Sequence, residues 1–246
     1  MELNRIHNCT AIGLLTSLDE KAALVIADPP YGISYRSSYK EGMPNGNNRE
    51  QYKPNRHEIR EFDDSEIDPS WLKPAFDSLA DDGAMYLFTR WDVLHTWKAA
   101  AEDAGFKVVQ RIVWNKDMMS MGDLRYYGSM TEDILFCVKD IHLLRWPQRE
   151  GNIWRVPRGA MMAKDLPKGG GWRHPTQKPV DLFKRIIRYS SNARDLIVDP
   201  FTGSGAACVA AQQLHRRWIG SDIDSAFAVA AQAWIEKESP HTLPMF

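Results

Sequence analysis

An α/β fold built on a doubly wound, mostly parallel sheet with helices on both faces is predicted by the alternation of short apolar runs with helical patterns. The runs at residues 22–28, 84–88, 108–114, 134–138, 196–198 and 218–219 read as buried strands. Helical periodicity occupies 71–79, 92–104, 180–190, 206–214 and 226–237. Punctuation supports the same fold. The first run stops at Pro29-Pro30, as a central parallel strand does at the carboxyl edge of its sheet. The run at 196–198 leads through a glycine-containing turn into a helix, which is the strand-to-helix junction that such folds repeat.

The chain has 246 residues, 31 basic and 32 acidic side chains and a 43% hydrophobic content, so one domain over 1–246 is expected. Cys9, Cys137 and Cys208 are odd in number and form no CxxC pair, which argues against a disulfide framework or a cysteine zinc site and fits a reducing cytoplasm. The first residues lack a basic stretch followed by an apolar one. The longest apolar segment, Ala22–Ala27, is too short to span a bilayer, so neither secretion nor membrane insertion is expected.

Two stretches break the strand–helix rhythm. Residues 35–60, rich in Ser, Gly, Asn and Tyr, read as a long mobile loop. Residues 145–173 read as an irregular basic insertion rather than another strand–helix unit, with Trp146, Trp154 and Trp172 along it. The net charge of −1 hides +3 over 36–60 and +6 over 145–178, so a polyanion could be gripped locally by a chain that is not basic overall.

Chemistry concentrates in two motifs. In Asp28-Pro29-Pro30-Tyr31 the prolines hold the backbone extended, so that the Asp28 carboxylate and the Pro29 carbonyl can offer two acceptors on one side. Such a pair suits an exocyclic amine, and Tyr31 adds a flat face for a planar base. In Asp199-Pro200-Phe201-Thr202-Gly203-Ser204-Gly205 the glycines let a ligand approach the backbone at a helix N-terminus. About twenty residues further on, Asp222 ends a strand where an acidic side chain can accept ribose hydroxyls. The GxGxxG pattern is not completed, since Ala206, Ala207 and Cys208 follow Gly205, which disfavours a nicotinamide enzyme.

With HPTQKP at 174–179 standing between these two motifs, the sequence resembles the permuted, beta-type, S-adenosylmethionine-dependent amino-group DNA methyltransferases, in which DPPY precedes the cofactor-binding half. That resemblance implies a Rossmann-like methyltransferase sheet and a site-specific enzyme that methylates the N6 amine of a flipped-out adenine in double-stranded DNA. It makes Asp28, Pro29, Pro30 and Tyr31 catalytic. Asp199, Phe201, Thr202, Gly203, Ser204 and Gly205 would line the methionine end of the cofactor, and Asp222 would bind its ribose. Asn8 and Cys9, near the adenine ring, and His174, Pro175, Thr176, Gln177 and Lys178 would complete that pocket. The family often carries Asp where Asn8 stands, and a His where Thr131 precedes Glu132; Glu132 is read as structural. No metal is expected, since His174 has no second His at ligand spacing.

Asp rather than Ser at position 28 leans towards adenine, with N4-cytosine methylation as the alternative. A catalytically silent nucleic-acid-binding subunit is the reading from a different class, and it would be expected to have lost Asp28, Tyr31 or the glycine loop. A cognate restriction enzyme and a homodimer are possible partners. The insertion is the expected target-recognition segment, with Arg149, Arg155, Arg158 and Arg173 as candidates for phosphate or guanine contacts and the 36–60 loop closing over the duplex. If several of these arginines neutralise phosphates, duplex affinity measured by anisotropy falls steeply with added salt. A flat response would contradict the assignment.

Overall fold

The computed structural model describes residues 1–31, 67–118, 127–145, 149–157 and 177–238. The loop expected over 35–60 lies outside them, as do Trp146, Arg158, Trp172, Arg173, His174, Pro175 and Thr176. The chain divides into two compact units, Met1–Pro29 with Pro69–Phe246, and Pro30–Asp68. Every element below belongs to the first unit.

In chain order these are β1 (Ile6–Asn8), α1 (Ala11–Thr16), β2 (Ala22–Ala27), α2 (Leu72–Ser78), β3 (Leu79–Thr89), α3 (Leu94–Asp103), β4 (Lys107–Asn115), β5 (Thr131–Val138), β6 (Ile153–Arg155), α4 (Val180–Ser190), β7 (Leu196–Asp199), α5 (Ala206–Gln213), β8 (Arg217–Asp222) and α6 (Ser225–Glu238). The strands form one sheet in the order β1-β8-β7-β2-β3-β5-β4-β6. All neighbours are parallel except β5, which runs against both β3 and β4. Contacts between helices group α1 with α2 and α3, and α4 with α5 and α6. A mostly parallel sheet needs such cover because both of its faces are apolar.

Local chemistry explains the central elements. In β2 the side chains of Leu24, Val25 and Ile26 are fully buried, each stabilising the fold by about 2 kcal/mol. Helix α4 buries Leu182, Phe183, Ile186 and Ile187 on one face and places Asp181 in its first turn, where a negative charge complements the helix dipole. Pro179, extended at ψ 135°, sets where α4 begins, and its carbonyl accepts the Leu182 amide at 3.1 Å. Lys178, one residue earlier, is thereby fixed at the edge of the sheet.

Several elements depart from the sequence reading. Strand β3 starts at Leu79 rather than at residue 84, running through Asp81-Asp82-Gly83, which reads locally as a turn. The six-residue α1 escapes periodicity and is held by Thr10, whose side chain accepts from the Gly13 amide at 3.1 Å. The insertion is not wholly irregular, because β6 pairs in parallel with β4 and buries Trp154 to 6% exposure. A strand of three residues is too short to show a period. The indole Nε1 of Trp154 donates to the Gly151 carbonyl at 3.1 Å, and the Arg185 guanidinium lies 4.8 Å from the ring centre.

Gly220, in β8, is required by a close approach. A Cβ there would stand 2.3 Å from Cγ2 of Thr202 and 3.2 Å from Sγ of Cys208. Gly220→Ala is expected to destabilise the fold by about 1–3 kcal/mol, as overpacking of a filled core does. Urea unfolding checks this, and an unchanged midpoint would contradict it.

Candidate active site

The chain leaves β7 towards β8 on one side of the sheet and leaves β2 towards β3 on the other, with β7 and β2 adjacent. Ligands of open α/β sheets bind beyond the carboxyl ends of the strands at such a reversal. Leu24 pairs with Ile197 and Val25 with Val198, so Asp28, just past β2, and Asp199, ending β7, emerge at the same edge. Asp222 ends β8 at that edge, where Asp199 is paired with Gly220.

The loop from Asp199 to Gly205 is tied down to the end of β8. Thr202 donates both its amide and its hydroxyl to the Ser221 carbonyl at 2.9 Å, and Ser221 Oγ donates to the Pro200 carbonyl at 3.1 Å. The amides of Gly203 and Asp224 each donate to the Asp222 carboxylate at 2.9 Å. Gly203 and Gly205 have φ values of 48° and 85°, and at Gly205 a Cβ would meet the Ala231 Cβ at 3.1 Å. Glycine therefore suits the turn both in conformation and in space. Next to it, Asn8 Nδ2 donates to the carbonyls of Asp222 and Ile223 at 3.0 and 2.8 Å.

Of the three acids at this edge Asp199 is the most buried. Burial pushes the Asp199 carboxyl up to about 8, with Asp28 and Asp222 adding to the rise and Lys178 and the Phe201 amide opposing it. Burial also raises the Asp222 carboxyl, against the hydrogen bonds of Asp224 and Gly203.

Asp28 faces a cation. Lys178 is 6% exposed, and its Nζ hydrogen-bonds Asp28 Oδ2. The same Nζ stands 3.7 Å from Glu132 Oε2 and 4.8 Å from the centre of the Phe88 ring. Lys116 Nζ donates to Glu132 Oε1 at 3.3 Å. Sequence reasoning passed over Lys116 and set Glu132 aside. The signal it lacked is strand direction: β5 runs antiparallel, so its first residues arrive where β2 and β4 end. Trp91 lies at the same edge of the sheet, just past β3. It stands 75% exposed beyond the end of β3, in a turn closed by the Val93 amide on the Arg90 carbonyl at 3.3 Å and braced by Arg90 Nε on Asp92 Oδ1 at 3.0 Å.

Other expected residues are more scattered. Pro30 and Tyr31 follow Asp28 and Pro29 along the chain and open the second unit. Gln177 precedes Lys178. Arg155 ends β6, four strands along from β2 or roughly 19 Å away at usual strand spacing, and its Nε pairs with Asp117 Oδ2 at 2.5 Å. Arg149 is exposed ahead of β6. Among the described residues no group of three His, Cys, Asp or Glu side chains is arranged to hold a metal ion, and no helix is long and apolar enough to cross a membrane.

Comparison with known proteins adds the family context. A family described as DNA methylase, covering N6 and N4 enzymes, matches residues 22–233. The type II methyltransferase M2.DpnII of Streptococcus pneumoniae is 29% identical over 244 residues, covering 95% of this chain and 90% of that protein. The DNA adenine methyltransferase YhdJ of Escherichia coli is 32% identical over 152 residues, half of each chain. The crystal structure of the M1.HpyAVI–SAM complex shares the fold with a TM-score of 0.66 at 21% identity, covering 93% of this chain and 98% of that one.

The Asp199 shift has a testable sign. Because the folded protein keeps a proton that the unfolded chain releases, this contribution to stability is full below 3.8 and is lost as pH rises through about 8. Wild type should therefore lose stability relative to Asp199→Asn across that window, read by urea unfolding of the ligand-free protein. A difference that stays constant with pH would contradict the assignment.

Proposed function

The chain belongs to the DNA methylase family that matches residues 22–233, and we propose that it transfers the methyl group of S-adenosylmethionine to the N6 amine of an adenine turned out of double-stranded DNA. The observation that carries this reading is the meeting, at one reversal of the sheet, of the Asp28 strand end with the glycine loop that Asp222 holds. An acceptor for an amine and a cradle for a ligand then share an edge.

S-adenosylmethionine, when bound, supplies a methyl group on a positively charged sulfur. The residues present fit such a group. Asp199 is raised by burial first and then by the neighbouring Asp28 and Asp222, and a cationic ligand beside it would favour its ionised form. In this reading Asp199, Phe201, Thr202, Gly203, Ser204 and Gly205 hold the methionine end. The Asp222 carboxylate keeps lone pairs for ribose hydroxyls beside the two amides it already accepts. Asn8 and Cys9 border the adenine ring, and residues 174–178 complete the pocket.

Asp28 and the Pro29 carbonyl accept the two hydrogens of the target amine, which aims its lone pair outward, and Tyr31 stacks on the base. Flipping is required because that nitrogen is otherwise engaged in base pairing, at a cost of a few kcal/mol that pocket contacts offset. The choice of adenine is supported by Asp at position 28 and by the name of the Escherichia coli relative. Arg149, Arg155, Arg158 and Arg173 are read as the duplex-facing cations. The reading extends to a cytoplasmic enzyme with a cognate restriction enzyme, supported by the type II methyltransferase name of the Streptococcus pneumoniae relative. It also extends to a homodimer, supported by the small size of the recognition segment and testable by sedimentation.

Asp28→Ala is expected to abolish methyl transfer while leaving cofactor binding largely intact; near-normal turnover would refute its role. Tyr31→Ala should lower transfer more than Tyr31→Phe or Tyr31→Trp, because the ring face rather than the hydroxyl is used. Equal losses in all three would contradict stacking.

A further inference from the structure

Two lysines lie buried at the carboxyl edge, Lys178 and Lys116, each 6% exposed. A buried ammonium is costly unless paired, and both are paired through one side chain. Glu132 presents Oε2 to Lys178 at 3.7 Å and Oε1 to Lys116 at 3.3 Å, while Lys178 also bonds Asp28. Asp28, Lys178, Glu132 and Lys116 thus form a chain of alternating charge whose formal sum is zero. Its members come from four places in the fold: the end of β2, the residue before Pro179, the start of β5 and the residue after β4. The far end is anchored by the backbone, since the Lys116 amide donates to the Met130 carbonyl at 2.8 Å.

Resting on the reading of Asp28 as acceptor of the target amine, we propose that Lys178 is the positioning residue of that carboxylate, and that Glu132, held by Lys116, sets where the Lys178 ammonium stands. A carboxylate just past a strand end has two side-chain torsions to settle, and an ammonium on Oδ2 restrains both. The lysine itself sits on a flexible four-carbon stem and needs restraint of its own. Glu132 supplies it from one side and the Phe88 ring from another, at 4.8 Å from Nζ. Neither Glu132 nor Lys116 has to touch substrate. This use of Lys178 differs from a place in the cofactor pocket, and the two make different predictions.

The test compares the full chain with Glu132→Gln, Lys116→Met, Lys178→Arg and Lys178→Met. The readouts are kcat and KM for methyl transfer to duplex DNA, cofactor Kd by calorimetry, and thermal melting. Glu132→Gln is expected to lower kcat by about tenfold or more, since small displacements of a reacting group cost up to roughly a hundredfold. KM for DNA and cofactor Kd should stay within about threefold of wild type, the split that loss of an interaction made only in the transition state produces. Lys178→Arg should retain more activity than Lys178→Met. Should Lys178→Met fail to fold, Glu132→Gln and Lys116→Met carry the test, because both keep Lys178. Unchanged kcat in those two variants overturns the proposal. So does a loss of cofactor affinity as large as the loss in kcat/KM, which would assign Lys178 to the cofactor. A wild-type chain that methylates no DNA overturns the parent reading, whereas wild-type transfer with unaffected variants overturns this proposal alone.

Discussion

Negative charge gathered at the carboxyl edge of a buried parallel sheet is the constraint on which the rest of this structure depends. Asp28, Asp199 and Asp222 emerge where low-dielectric surroundings strengthen their repulsion. Each is accommodated differently. Asp28 has the ammonium of Lys178, Asp222 has the amides of Gly203 and Asp224, and Asp199, the most buried of the three, keeps its proton up to about 8.

Topology decides which side chains take part. Because β7 and β2 are adjacent while their successors lie on opposite sides, two strand ends just over 170 residues apart in sequence share one crevice. Strand β5, the one antiparallel strand among the described residues, then brings its amino end to the same edge. Parallel crossovers alone would have placed Glu132 at the other end of the sheet, beyond reach of Lys178. The closeness of β8 to the glycine loop, which only Gly220 permits, seats the Asp222 carboxylate under the Gly203 amide.

Elements with a strong local signature were legible in the sequence. Helix α4 spans 180–190 in both readings, since Pro179 and a full apolar face define it, and β2 and β7 follow directly from their unbroken apolar runs. The short pieces were not legible. A helix of six residues and a strand of three carry too little periodicity, and β3 hides its start behind Asp81-Asp82-Gly83. The candidate site divides in the same way. DPPY, the glycine loop and Asp222 are contiguous or regularly spaced, so residue chemistry and family resemblance both find them. The charge chain through Lys116, Glu132 and Lys178 is tertiary: Lys178 meets Asp28 across 150 positions, and no local pattern encodes that pairing.

Identifying the methylated nucleoside tests most directly at which nitrogen the enzyme acts. Incubation of the full chain with methyl-labelled S-adenosylmethionine and unmethylated genomic DNA, followed by nucleoside mass spectrometry, should yield labelled N6-methyladenine. Label in N4-methylcytosine, or none in DNA while the cofactor still binds, would contradict the account.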